Sequence, residues 1–498
     1  MNATGIHPAT VNTDLVNAIL ADAKALQLEE SIPAKLLDKL LLQLGKVDFR
    51  ELADLTDPEE KLTKKHFLVC AIEEVLGKAR TNSWDLCKNA AFVYVFNGSF
   101  WEVVEKDELQ AFLGKAAERM GVDRFDARHY LFRDQLSLQF HASAHLPNPE
   151  PNANKVLVNL LNGTFEIGTK EQRLRPASPA DFITYQLPFN YDPKAKAPKF
   201  QTYLDRVQPD KERQRILAEC VAYLFINTAT LKLEKVPLLY GTGANGKSVF
   251  FDVVNALLGG AANVSSFTLQ QLTDESGYYR AKLANKLVNY ASEINGKMDA
   301  AMFKTLASGE QVSARLPYGE PFTVVRYAKL MFNCNELPRE VEQTDAFFRR
   351  FLLVPFDVTI PPEEQDKELP AKIIAEELSG VFNWVLDGLQ RLLKQKGFTK
   401  SQAVNDALEQ YRRRSDSVLG FMEEENLAPS TTDHTPLKDI YQRYRAHCIE
   451  SGSHPCSQRT FSERLKASGI EVERRSYGRI AWISVASADG ATVKENYL

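Results

Sequence analysis

Cysteine is scarce and scattered in this chain of 498 residues: Cys70, Cys87, Cys220, Cys334, Cys448 and Cys456 include no C-x-x-C pair. That distribution excludes a disulfide-stapled secreted fold and fits reduced thiols in a cytosolic compartment. The pairs His447-Cys448 and His454-x-Cys456 match no common zinc spacing and read better as a helix end followed by a loop. No run approaches the ~18 apolar residues of a membrane helix. The opening MNATGIHPATVNTDLV has neither a basic n-region nor an apolar h-region. A soluble cytoplasmic protein with no membrane partner is therefore expected. Internal repeats and low-complexity segments are absent. The net charge of −4 sets no bulk preference between nucleic acid and protein partners, and a local basic patch can hide within it.

What is present is length and a change of texture along it. A chain this long predicts about three or four domains with ample core. Residues 1–85 read as a helical region, with Leu15, Val16, Ile19, Leu20, Ala23 and Leu26 on one face and a leucine-rich set from Leu36 to Leu44. Residues 86–200 read as an α+β region with two hairpins, turning at Asn97-Gly98 and at Asn162-Gly163. A proline-rich stretch from Leu187 to Pro198 marks a boundary. Residues 201–360 alternate strands and helices, which implies an α/β nucleotide-binding core. Residues 361–428 are helical and charged, 429–486 form a small C-terminal domain, and 487–498 are a tail.

The strongest motif is Gly241-Thr-Gly-Ala-Asn-Gly-Lys-Ser248, after the apolar run Val236 to Tyr240 and before a helical pattern. It fits the phosphate-loop pattern in the strand–loop–helix setting that pattern needs. Gly241, Gly243, Ala244, Asn245, Gly246, Lys247, Ser248 and Val249 form the candidate nucleotide-binding set. The glycines let backbone N–H groups approach phosphate oxygens at the helix N-terminus. Lys247 reaches the β- and γ-phosphates of ATP, and the Ser248 hydroxyl sits on Mg²⁺.

Such a loop needs an acidic partner on a second strand. Glu293, at the tip of Leu287-Val-Asn-Tyr-Ala-Ser-Glu293, has that placement, as metal partner and as the group that polarises water. A polar group on a third strand should meet the γ-phosphate or the attacking water. Asn333 and Asn335 both qualify, with Asn335 preferred because Leu337-Pro338 follows. Arg349 and Arg350 open a further strand, and Arg350 is the candidate arginine finger for a neighbouring subunit's ATP.

The order of these signals resembles the superfamily 3 helicases, and within them the phage, plasmid and poxvirus primase–helicase family. The residues that carry the likeness are the phosphate loop, the single-Glu strand, Phe303-Lys304-x-Leu306-x-x-Gly309-Glu310, Asn335-x-Leu337-Pro338 and Phe348-Arg349-Arg350-x5-Phe356. Asn190-Tyr191-Asp192-Pro193 upstream and Ser379-Gly380 to Asp387-Gly388 downstream are similar to the same family. The resemblance implies AAA+-like subunits in a hexameric homo-oligomer that hydrolyses ATP at its interfaces and moves 3′ to 5′ along single-stranded DNA. A primase or polymerase partner follows from the same likeness. Two departures stand out. Only ~90 residues precede the hairpins, with no D-x-D pair on a plausible strand, so primer synthesis is not expected. The hairpin that such rings use to grip DNA has Pro317-Tyr318-Gly319-Glu320 at its tip rather than a lysine. Grip then falls to Arg315, Tyr318, Arg326 or Lys329.

The C-terminal segment points independently to DNA. A helix from Pro436 to Ile449 precedes a helix capped by Ser457, with Phe461 and Leu465 inward and Arg459, Arg464 and Lys466 outward. A hairpin carrying Arg475 then turns near Gly478. That layout is a winged helix, with Arg459, Arg464 and Arg475 as duplex-DNA contacts. From Lys438 to Ile483 there are nine Lys/Arg against five Asp/Glu. Two rival readings are an ATP-switched origin-binding initiator or regulator with little unwinding, and a phosphate-loop small-molecule kinase. The C-terminal helices and hairpin argue against the kinase.

Overall fold

The structure is a computed structural model that describes residues 31–145, 155–168, 171–292, 294, 298–317, 319–338, 342–451 and 454–485. The face expected from Leu15 to Leu26 and the tail 487–498 lie outside these residues. The chain divides into two compact units, 1–148 and 149–498.

In the first unit, helix α1 (Ile32–Gln43) starts where Ser31 Oγ accepts from the Ala34 N–H at 3.1 Å, with proline in the first turn. It buries Leu36, Leu37 and Leu40, and helix α2 (Lys64–Thr81) follows. Strands β1 (Leu86–Asn89), β2 (Phe92–Phe96) and β3 (Trp101–Val104) form an antiparallel meander. The β2–β3 turn is closed by Asn97 Oδ1, which accepts from the Ser99 and Phe100 N–H groups at 2.9 Å. Helices α3 (Lys106–Met120) and α4 (Tyr130–Ser143) complete the unit. A single apolar cluster runs from Leu36 to Ala144 and takes in Val75 and Leu76 of α2 with Val93, Val95 and Val104 of the meander. The line drawn from sequence between residues 85 and 86 therefore falls inside one core.

The second unit opens with a second antiparallel meander, β4 (Lys155–Leu160), β5 (Gly163–Gly168) and β6 (Gln172–Arg175). Helices α5 (Pro198–Val207) and α6 (Lys211–Tyr223) follow. Val156, Phe165, Leu187, Phe200 and Ile216 belong to one apolar cluster. The proline-rich stretch thus joins, rather than separates, the meander and the helices, and the division sits earlier, between residues 148 and 149.

The centre of this unit is a five-stranded, wholly parallel sheet in the order β13-β7-β12-β9-β8. Its parts are β7 (Val236–Tyr240), α7 (Lys247–Leu258), β8 (Val264–Ser265), β9 (Val288–Ala291), α8 (Ala300–Ser308), the antiparallel hairpin β10 (Val312–Arg315) and β11 (Pro321–Val324), β12 (Lys329–Cys334), and β13 (Phe351–Pro355). The inner strands are nearly continuous apolar runs because both faces are covered. One face packs on α5, α6, α7 and helix α9 (Leu378–Gln395). The other packs on α8, the hairpin and Tyr411 of helix α10 (Gln402–Arg414).

The C-terminal segment of this unit holds α11 (Ser417–Glu424), β14 (Leu427–Pro429), β15 (Thr435–Pro436), α12 (Leu437–Glu450), α13 (Gln458–Ala467), β16 (Val472–Arg475), β17 (Gly478–Ala481) and β18 (Ile483–Val485). Ser457 Oγ caps α13 by accepting from the Thr460 N–H at 3.2 Å. The β16–β17 hairpin turns between Arg475 and Gly478. Phe421, Leu437, Tyr444, Phe461 and Ile483 share its apolar core.

Candidate functional site

The loop Gly241–Ser248 joins the C-terminal end of β7 to the first turn of α7. Sterics dictate its glycines. A Cβ on Gly241 would meet Asn245 Nδ2 at 2.2 Å and the Phe356 carbonyl oxygen at 2.5 Å. Gly246 has φ +84°, and a Cβ there would meet Val207 Cγ1 at 2.6 Å. The loop is fixed from behind by the chain after β13. Phe356 N–H donates to the Tyr240 carbonyl at 2.7 Å, Asn245 Nδ2 to the Phe356 carbonyl at 3.1 Å, and Ile360 N–H to the Ala244 carbonyl at 2.7 Å. Tyr203 Oη donates to the Gly246 carbonyl at 2.8 Å.

Lys247 is buried, and its Nζ donates to the Gly241 carbonyl at 2.6 Å and to Asn245 Oδ1 at 3.1 Å. Burial pushes its pKa down. Neither contact is to an anion. A buried ammonium whose partners among the described residues are two neutral oxygens, beside a helix N-terminus, fits a phosphate. Ser248 is exposed and Val249 half-buried in the first turn. The Ser248 hydroxyl is thus open to a metal ion, while its expected acidic partner Glu293 lies outside the described residues.

Cys334 of β12 pairs with Tyr240 of β7, so Asn335 leaves the sheet level with Gly241 and is exposed there. Asn333, the other candidate, lies within β12, where it is buried and accepts from Tyr290 Oη at 2.8 Å. Burial pushes the Tyr290 phenol well above its ordinary range. Of the two asparagines, only Asn335 faces outward at this edge of the sheet.

The two arginines before β13 differ sharply. Arg350 is 8% exposed. Its Nη2 donates to Ser308 Oγ at 3.0 Å, its Nε to the Lys304 carbonyl at 3.3 Å and its Nη1 to the Ala346 carbonyl, with Glu234 at 3.5 Å. Every arm of this guanidinium is engaged within its own chain, which corrects the expectation that Arg350 is the group free to reach a neighbour. The Arg349 side chain is 65% exposed, with Glu234 at 3.6 Å.

The expected DNA contacts also separate. Arg315 is exposed on β10 and donates to the Gly319 carbonyl at 2.8 Å; Tyr318 lies outside the described residues. Arg326 is exposed after β11. Lys329 is instead turned inward at the start of β12, its ammonium 3.8 Å from the Tyr223 ring centroid, and burial pushes its pKa down to about 7. It is a packing group. In the C-terminal segment the Arg459 side chain is 87% exposed and pairs with Glu463 one turn on at 3.0 Å. Arg464, expected to point outward, pairs inward with Asp416 at 3.1 Å. Arg475 is bonded to Glu473 and lies 6.0 Å from the Trp482 ring centroid. Arg414, which the sequence reading passed over within a charged helix, lines a cavity together with Thr242 and Asn335. Its signal was the run Arg412-Arg413-Arg414 at the end of a helix beside the core.

Three family descriptions match successive stretches: "D5 N terminal like" over residues 72–209, "Family of unknown function (DUF5906)" over 239–350, and "Poxvirus D5 protein-like" over 413–495. The chain is similar to "Putative helicase 121R" of Invertebrate iridescent virus 3, 23% identical over 346 residues, which is 60% of this chain and 36% of that protein. It is also similar to "Putative helicase L207/L206" of Acanthamoeba polyphaga mimivirus, 24% identical over 217 residues, 41% of this chain and 22% of that protein. The chain thus spans about a third or less of these relatives' length. Among solved structures, "The A form apo structure of NrS-1 C terminal region-CTR" aligns at 12% identity and a TM-score of 0.44, covering 82% of this chain and 98% of that one. Stretches similar to D5 proteins thus precede and follow the parallel sheet along the chain.

Proposed function

We propose that this chain is an ATP-dependent replicative DNA helicase of superfamily 3, from a phage, plasmid or other mobile element. In this reading the parallel sheet is an AAA+-like P-loop core and residues 429–486 are a winged helix. The subunits form a ring, a hexamer, and translocate 3′ to 5′ on single-stranded DNA. The observation that carries it is the buried Lys247 ammonium, whose partners among the described residues are two neutral oxygens, one of them the Gly241 carbonyl at the C-terminal edge of the sheet. Ligands in open parallel sheets sit at that edge.

Lys247 and the loop amides hold the phosphates, Asn335 orients the attacking water, and Glu293 takes up its proton. Ser248 and Glu293 would hold Mg²⁺, which would supply positive charge against that of the phosphates. Arg349, the exposed member of its pair, reaches the neighbouring subunit's nucleotide. Arg315 and Arg326 follow the backbone of the single strand, and Arg459 leads the contact with duplex. A primase or polymerase partner supplies primer synthesis or extension.

The test is ATP turnover with and without single-stranded DNA, together with displacement of a strand annealed beside a 3′ tail. Stimulated turnover with displacement is expected from the native protein. Lys247→Ala should lose nucleotide affinity, and Glu293→Gln should bind nucleotide but not turn it over. Turnover without displacement would overturn the motor in favour of an ATP-switched initiator.

A further inference from the structure

The hairpin of β16 and β17 sets two arginines directly opposite each other. Its register pairs Val472 with Ala481, Glu473 with Ile480, Arg474 with Arg479 and Arg475 with Gly478. Cross-strand partners share a face with their Cβ atoms about 5 Å apart, and like charges so placed repel. Arg474 and Arg479 are both exposed, and among the described residues neither guanidinium has a hydrogen bond or an ion pair.

The third arginine of the hairpin is already satisfied. Arg475 alternates to the other face, where Glu473 matches its charge and the Trp482 ring centroid lies 6.0 Å away. Trp482 Nε1 donates to Glu473 Oε1 at 3.1 Å, so that carboxylate is committed to its own face. The face of Arg474 and Arg479 runs instead into the apolar core. Ala481 belongs to that core with Phe461 and Leu465 of α13, and its partner Val472 packs against it. The two arginines therefore stand where this face leaves the core, on the side of the hairpin that carries α13.

Two unmatched guanidiniums side by side can grip one phosphate with parallel N–H groups, and the bound charge removes their repulsion. The helix α13 is the one that a winged helix lays in a duplex groove, and backbone phosphates border that groove. We propose that Arg474 and Arg479 together hold one backbone phosphate of duplex DNA. This rests on the reading of residues 429–486 as a duplex-binding winged helix, and it places the hairpin's contact on the face away from Arg475. The free chain then carries a repulsion that DNA relieves.

Salt-dependent binding of the full chain to a blunt duplex, with thermal melting of the free chain, tests it. The double variant Arg474→Ala, Arg479→Ala should lower the slope of log affinity against log salt by about 0.9, the value of one phosphate, without lowering the melting temperature. Arg479→Glu sets opposite charges across the hairpin, so it should raise the melting temperature and weaken duplex binding by about tenfold. Arg475→Ala removes the same charge from the other face and should leave the slope unchanged. An unchanged slope in the double variant, a fall of about 1.8, or an equal fall in Arg475→Ala would overturn the shared site. Arg459→Ala keeps the two readings apart. If it weakens duplex binding and the double variant does not, the arginine pair alone is wrong; if neither does, residues 429–486 do not bind duplex and the pair falls with them.

Discussion

Tyr290 on β9 donates its hydroxyl to Asn333 Oδ1 on β12 at 2.8 Å, both side chains buried, between the two strands whose ends lead to Glu293 and Asn335. This bond fixes one strand end against the other. Tyr290→Phe leaves Asn333 Oδ1 without its donor, at a cost of about 1–3 kcal/mol. The melting temperature should fall by several degrees, and ATP turnover should fall more than nucleotide affinity. Comparing kcat with the Kd for ATPγS checks the second part, and a proportional loss in both would mean that the bond serves stability alone.

Arg349 and Arg350 should separate in the same way. Removing Arg350 strips Glu234, Ser308 and two carbonyls of their buried partner, so Arg350→Ala should destabilise the chain by about 3–5 kcal/mol, seen in denaturant unfolding. Arg349→Ala should unfold like the native protein yet turn over ATP poorly. Mixed with Lys247→Ala subunits, it should regain activity at those interfaces that pair an intact loop with an intact Arg349.

Contacts to DNA can be read from salt dependence. Arg315→Ala should lower the slope of log affinity for single strands against log salt by about 0.7, the value of one phosphate contact. Lys329→Met should leave that slope unchanged, because its ammonium faces the Tyr223 ring. A slope change in the lysine variant would return Lys329 to the DNA path.

Glu166 gives a pH signature. Hydrogen bonds from Lys155 and Arg175, with Arg173 nearby, hold its carboxyl down to about 2 from an ordinary 4.5. A carboxylate depressed by folding adds stability that is full above pH 4.5 and is lost as the pH falls towards 2. Glu166→Gln should therefore melt several degrees below the native chain at pH 7, and the gap should close across that acid window in calorimetry.

The sequence made legible those features that depend on local chemistry. The Asn97-Gly98 and Asn162-Gly163 turns, the apolar strands of the sheet and the strand–loop–helix around Lys247 all follow from periodicity and glycine placement. What it missed depends on neighbours distant in the chain. Arg464 sits on the outer side of its own helical pattern, yet α13 packs against both α11 and α12, and Asp416 takes it inward. Lys329 reads as a strand-edge cation until Tyr223 covers it. β14 and β15 are too short and too proline-bearing to register as strands, and exist because β18 and β17 pair with them. The boundary near Pro198 failed because hydrophobic residues on both sides of it enter one core.

The hold of Phe356 and Ile360 on the loop has a consequence for the order of events at the ribosome. Asn245 and its partner Phe356 are 111 positions apart. The loop's sequence is therefore synthesised long before its shape can be fixed, since that shape waits for β13 to be laid beside β7. A nascent chain that ends short of Phe356 carries every residue of the motif and none of the support that Phe356 and Ile360 give it from behind.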